Sequence, residues 1–182
     1  MPNANPQSHY SAPALSQEIV SRTLSVVVDN EPGVLARVIG LFAGRGYNID
    51  SLTVTETEHE KHVSRITIIT SGTPAVIEQI KHQLERLVPV HGVRDLTAEG
   101  RSLERELALI KVAGKGEKRI EALRLAEIFR AQVVDTSIEH FVFELTGKPS
   151  KIETFISIMR ELGLVEVSRT GIAAIGRGAA AM

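Results

Sequence analysis

Cysteine is absent from the 182 residues of the chain. That removes disulfides, thiolate catalysis and zinc–thiolate sites, and it fits a reducing cytoplasmic location. Tryptophan is absent too, and there are only two tyrosines, so a stacking platform for single-stranded nucleic acid has nothing to be built from. The formal net charge of −1 gives no electrostatic reason to expect nucleic acid or an anionic membrane as partner. No apolar run approaches the length of a membrane span. Residues 1–21 are rich in Pro, Asn, Ser and Ala, with no Arg before Arg22 and no basic start leading into an apolar stretch. They read as a disordered arm, not as a secretory or mitochondrial leader. What is present is 43% apolar residues and 24% charged ones, enough for packed cores in one large domain or two small ones.

The most informative stretch is Ser25 to Glu56, SVVVDNEPGVLARVIGLFAGRGYNIDSLTVTE. A β-branched run, Val26 to Val28, stops at the polar turn Asp29-Asn30-Glu31-Pro32-Gly33. An apolar-striped helix follows, then Gly46, then a second β-rich run. The turn sets an amide side chain, a Pro suited to the first helical turn and a bare Gly at a helix N-terminus. Unpaired backbone N–H groups there attract a carboxylate or phosphate. Nothing in the segment resembles a nucleophile or a metal cage. It suits holding a small anion-bearing ligand, not breaking one.

The strand–helix order is β-α-β-β-α-β, and it occurs twice. The first unit, residues 22–97, has strands at about Thr23–Val28, Asn48–Thr55, Val63–Thr70 and Val90–Leu96, with helices at about Pro32–Gly44 and from Thr73-Pro74 onward. The first helix carries Val34, Leu35, Val38, Leu41 and Phe42 on one face. Polar, Gly-containing TAEGRSLER around residues 98–105 reads as a linker or an irregular lead-in to a strand. The second unit, residues 106–176, has strands at Leu107–Val112, Val133–Ser137, Phe141–Thr146 and Leu164–Ser168, and helices at Glu117–Ala131 and Ser150–Leu162. Ser150 and Glu153 have the spacing of a capping box, and Gly163 that of a helix end. Residues 177–182 form a tail. TSGTPAVIEQI at Thr70–Ile80 matches TGKPSKIETFI at Thr146–Ile156 with one deletion, the mark of internal duplication. The fold class is α+β: two ferredoxin-like units, each an antiparallel sheet with helices on one face. Such a sheet leaves its other face and its edges available. Pairing two first units side by side gives a two-fold dimer.

L-S-V-V-V-D-N-E-P-G-V-L-A-R-V, R-G-Y-N-I-D-S-L-T-V, S-R-I-T-I and E-L-A-L-I-K-V closely resemble the regulatory (small) subunit of acetolactate synthase, also called acetohydroxyacid synthase, over about Arg22 to Arg177. The D/N-x-P-G-V-L turn by itself would indicate only an ACT domain, a widespread amino-acid-sensing module. The resemblance implies an N-terminal ACT domain, a C-terminal ACT-like domain and a homodimer that binds valine or another branched-chain amino acid between ACT domains. It implies no catalysis by this chain. It also implies a large catalytic subunit, carrying thiamine diphosphate, Mg2+ and FAD, that the small subunit activates and subjects to feedback inhibition. The family's ligand contacts fall here on Asn30, Gly33, Val34, Leu35 and Asn48, with Ile49 alongside. The second unit's turn, Ala113-Gly114-Lys115-Gly116-Glu117, lacks both Asn and Pro, so the effector site does not carry over to it.

Each of these residues has a plainer reading. Gly33 can simply relieve a turn, and Asn30 can bond its own backbone, although an amide also offers a donor and an acceptor to an α-amino acid. Asn48 at the opening of a strand goes against strand preference. Val34, Leu35 and Ile49 can be core. His59 and His62 have metal-like spacing without a fixed third ligand, so a solvated hairpin loop is the expectation, and the resemblance makes that loop a candidate contact to the catalytic subunit. His82, His91 and His140 fall into no triad with Ser or Asp. Two alternatives remain open on the sequence: a stand-alone ACT-type sensor acting on a different partner, and a small enzyme on the same fold.

Overall fold

The computed structural model describes residues 18–98, 100 and 102–179. Most of the N-terminal arm expected from the sequence, and the last three residues of the tail, lie outside the described residues. The first unit runs β1 (Val20–Asp29), α1 (Val34–Ala43), β2 (Ser51–Glu58), β3 (Val63–Gly72), α2 (Pro74–Glu85) and β4 (Val90–Asp95). The second runs β5 (Ser102–Val112), α3 (Glu117–Phe129), β6 (Gln132–Thr136), β7 (Phe141–Gly147), α4 (Pro149–Leu162) and β8 (Leu164–Arg169), followed by a short β9 (Ala173–Gly176). The sheet orders β2-β3-β1-β4 and β6-β7-β5-β8 are the same arrangement twice, antiparallel throughout. Both units are therefore ferredoxin-like.

Each unit has its own core. Leu24, Val26 and Val28 of β1 and Ile66 and Ile68 of β3 alternate onto the helix side, where Val38, Leu41 and Phe42 of α1 and Ile77, Ile80 and Leu84 of α2 meet them. In the second unit Ala108, Ile110 and Val112 meet Phe143, Leu145, Ile152, Phe155 and Met159. The second helix layer is thinner. Only Ala122 and Ala126 of α3 are buried, while Ile120 and Ile128 face outward, which is why its sequence stripe is unclear.

The duplicated helix starts show the same backbone with different chemistry. Thr73 before α2 and Lys148 before α4 hold nearly identical extended conformations, each followed by Pro. Thr73 Oγ1 accepts from the Val76 amide; Lys148 has no such oxygen. Pro149 at the first helical position moves the cap to Lys148, so the capping box expected from Ser150 and Glu153 does not form. Glu153 instead accepts from Arg169 Nη1 at 3.0 Å.

The polar lead-in at 102–105 is regular strand. Residues Ser102 to Arg105 pair with β9, and the same strand continues to pair with β7 from Glu106 and with β8 from Ala108. Its first half and β9 lie against the helix-free face of the first sheet. Thr23 Oγ1 donates to Glu104 Oε1 (2.7 Å), and Thr53 Oγ1 donates to the Ile172 carbonyl (3.0 Å). Thr23, Ser25, Thr67 and Ile69 are consequently buried although no helix touches them. The face expected to be open is covered by the chain's own C-terminal strand.

The candidate effector site and its two ends

Asn30 follows β1 directly. Its amide donates to the His62 carbonyl at 2.6 Å, tying the turn to the β2–β3 hairpin. Gly33 stands at the N-terminus of α1 with φ +87°, a backbone that side chains other than Gly, Asn and Asp rarely adopt. Space around it is open: a Cβ there would meet nothing within 4 Å. No side chain caps α1. Its first-turn N–H groups therefore face outward with the positive end of the helix dipole behind them. The Val34 amide already reaches the Glu31 carbonyl, at a long 3.3 Å. The Val34 side chain is core, whereas Leu35 is 38% exposed.

Asn48 sits elsewhere. It lies beyond the C-terminal end of α1, three residues before β2 begins at Ser51, so the strand expected from Asn48 starts later and its conflict with strand preference disappears. Its carbonyl accepts from Thr70 Oγ1 (2.7 Å) and its amide nitrogen donates to Asp50. Ile49 packs partly buried against the first core. Asn30 adjoins the Asp29–Val63 pair of β1 and β3, and Asn48 is bonded to Thr70, seven residues further along β3. At about 3.3 Å per residue the two asparagines are roughly 23 Å apart. A single unit thus brings Asn30, Gly33 and Leu35 together, and leaves Asn48 and Ile49 at the opposite end.

In the second unit the equivalent end carries different side chains. The Arg119 guanidinium stacks 3.8 Å from the centroid of the Phe141 ring and donates through Nη2 to the Ser137 carbonyl at 2.7 Å. With no Asn and no Pro in its turn and an arginine in the first helical turn, this end differs in chemistry from the first unit's, although the space at Gly116 is as open as that at Gly33.

The structure also joins residues that the sequence reading left apart. His140 Nδ1 is 2.8 Å from Ser137 Oγ, and His140 Nε2 is 2.9 Å from Asp135 Oδ2. Ser137 Oγ already accepts from the Glu139 and His140 amides, so the group locks a tight turn. The imidazole beside Asp135 holds that carboxyl below its usual range. In the β2–β3 hairpin, His59 Nδ1 lies 2.6 Å from Glu56 Oε2, and this hydrogen bond is the main reason the Glu56 carboxyl is held low. Among the described residues no group of three or more His, Asp or Glu side chains is placed to hold a metal ion, and no helix is long and apolar enough to cross a membrane.

The first-unit topology with a Gly-opened helix start is that of an ACT-type domain. Family comparison agrees: residues 24–92 match the family described as "AHAS small subunit-like ACT domain", and residues 105–178 match "Small subunit of acetolactate synthase". The probable acetolactate synthase small subunit of Archaeoglobus fulgidus is 46% identical over 87% of this chain and 98% of its own length. The acetolactate synthase isozyme 3 small subunit of Escherichia coli is 44% identical over 86% of this chain and 96% of its own. A crystal structure of the acetolactate synthase small subunit from Thermotoga maritima superposes with a TM-score of 0.80 at 40% identity, covering 88% of this chain and 99% of that one. The chain belongs to the family of acetolactate synthase small subunits.

Proposed function

We propose that the chain is the regulatory subunit of an acetolactate synthase and that it binds valine between the first units of a homodimer. The observation that carries this reading is the separation of Asn30 and Gly33 from Asn48 within one protomer. One small amino acid cannot touch both ends. A two-fold axis beside α1 sets one protomer's helix start against its partner's helix end, and so assembles two equivalent sites. An apolar strip supports that pairing. β2 is an edge strand that carries Val54 (42% exposed), and α1 presents Leu35 (38%) and Ile39 (41%) outward.

At each site the valine carboxylate takes the first-turn amides of α1 and its ammonium takes amide and carbonyl oxygens. Burying the isopropyl group contributes about 1.5–3 kcal/mol. Discrimination among branched side chains by pocket size is worth only about 1–3 kcal/mol, so leucine and isoleucine overlap as effectors. Valine must prefer one packing of the dimer over another to control anything. A coupling of about 1–3 kcal/mol gives several-fold to hundred-fold control. The controlled partner is a large cytoplasmic catalytic subunit that carries thiamine diphosphate, Mg2+ and FAD and converts pyruvate to 2-acetolactate; this chain activates it and confers feedback inhibition.

Gly33→Asp tests the docking. The open space at Gly33 accommodates the side chain, and Asp tolerates a positive φ better than most residues. Its carboxylate then occupies the ligand carboxylate's place. Titration calorimetry should show valine binding lost while activation of the catalytic subunit persists. Tight valine binding by this variant refutes the docking. Recovery of some other protein in place of the thiamine-dependent enzyme, on pull-down from the source cell, favours a stand-alone sensor.

A further inference from the structure

Three consecutive residues of β3 hold the segment that joins α1 to β2. The Ile69 carbonyl accepts from the Asp50 amide (2.8 Å), Thr70 Oγ1 donates to the Asn48 carbonyl (2.7 Å), and Ser71 Oγ donates to Asp50 Oδ2 (2.6 Å). Thr70 is fully buried, so the strand that supplies these bonds is a fixed support. The second Asp50 oxygen, Oδ1, accepts from Asn48 Nδ2. Both oxygens of the Asp50 carboxylate are thus bonded within the protomer, one to the strand and one to the asparagine. Asn48 and Asp50 are exposed in the single protomer. Packing therefore does not set the direction of the Asn48 side chain, and this bracket of hydrogen bonds does.

A carboxylate only accepts, and an amide side chain has one donor end and one acceptor end. The end of Asn48 at Asp50 is therefore the NH2, and Oδ1 is the end left over. We propose that Asp50 is a positioning residue for the effector site: anchored on Ser71, it holds Asn48 Nδ2 and so presents Asn48 Oδ1 to the ammonium group of the bound amino acid. This rests on the effector reading above. An NH2 turned the same way would repel the ammonium. Released from Asp50, the Asn48 side chain has about three χ1 wells and two amide orientations. About one arrangement in six then offers the acceptor, and apparent affinity falls by about that factor.

A merely structural role for Asp50 would weaken every ligand alike, whereas a positioning role weakens only ligands that carry the ammonium. The test uses the full-length chain with two probes: valine, and 3-methylbutanoate, which is valine without its amino group. Wild type should bind valine more tightly. Asp50→Ala should lower valine affinity about sixfold and leave 3-methylbutanoate affinity unchanged. Asp50→Asn keeps an acceptor for Asn48 Nδ2 and an NH2 for Ser71 Oγ, so it should stay closer to wild type. Ser71→Ala keeps the Asp50 charge but removes its anchor, and should fall between wild type and Asp50→Ala. If 3-methylbutanoate binds too weakly to measure, that order of valine affinities decides, with unchanged urea midpoints marking the loss as local. Equal loss of both ligands, or an undiminished preference for valine in Asp50→Ala, overturns the positioning role. Asp50→Asn as damaging as Asp50→Ala also overturns it, because Asp50 then meets the ammonium through its own charge. Each of these results leaves the effector site intact. Failure of the wild type to bind valine overturns both.

Discussion

Gly171→Ala is the sharpest probe of how the two units are joined. Gly171 has φ +81°, and a Cβ there would lie 2.8 Å from Thr53 Cγ2 and 3.1 Å from Ser51 Oγ on β2. The left-handed backbone alone costs an L-residue about 1–2 kcal/mol. The methyl clash must then be relieved by moving the 170–172 segment off β2. That stretches the Thr53 Oγ1 bond to the Ile172 carbonyl (3.0 Å) and the Ile172 amide bond to Ser51 Oγ (3.4 Å), each worth roughly 0.5–1.5 kcal/mol. The expected loss is about 2–5 kcal/mol in all. Gly33→Ala is the control: φ is +87° but nothing lies within 4 Å, so only the backbone cost of about 1–2 kcal/mol applies. Thr53→Ser removes the offending methyl and keeps the hydroxyl. In the double variant the two losses should fall short of additive by about 1 kcal/mol. The assay is urea unfolding at fixed protomer concentration, with hydrogen exchange of β9 to detect local release of the joint. Were Gly171→Ala no costlier than Gly33→Ala, the close packing of this segment on β2 would contribute nothing, and the account of the covered face would be wrong.

Arg169 forms a two-pronged bond to Glu106 (2.8 and 2.7 Å), whose side chain is 3% exposed. Arg169→Met should cost about 3 kcal/mol, the lower end of the range for stranding a buried charge because Arg169 is itself partly solvated. Adding Glu106→Leu should recover part of that loss in urea unfolding, and no recovery would refute the stranded-charge explanation. Glu56, Glu78, Asp135 and Glu166 all have carboxyls held below their ordinary values, chiefly by hydrogen bonds from His59, Lys81, His140 and Lys111. Each binds fewer protons folded than unfolded, so its contribution is complete above the unfolded carboxylate range, about pH 4, and disappears as pH falls through the lower folded value. Acid titration should show stability falling below about pH 5, with added salt flattening the fall. A stability rise on acidification would contradict it. Ile39→Glu puts a charge on each side of the proposed two-fold strip and should raise the dimer dissociation constant at least about tenfold, as read by sedimentation equilibrium. An unchanged dimer would place the interface elsewhere.

The sequence by itself determined the duplicated strand–helix order, because alternation in strands and helical spacing of apolar residues are local patterns set by which side must be dry. It determined the Gly33 turn as well, since a positive φ before a helix selects Gly. The matching Pro-started helices α2 and α4 were legible from letters, and their equal cap conformations follow. Tertiary structure alone decided what covers the first sheet. The segment Ala173–Gly176 is short, and three of its four residues are small, so it becomes a strand only because the first half of β5 pairs with it. Pro149 overrode the Ser150 cap for a similar reason, as backbone geometry outranks a side-chain pattern. The joining of Ser137, His140 and Asp135 depends on a turn that residue spacing does not specify. The placement of Asn30 and Asn48 at opposite ends of α1 shows the limit most plainly. Both were candidate site residues on the sequence, but their separation is a property of how far strands and helices reach in space, and chain letters carry no distances.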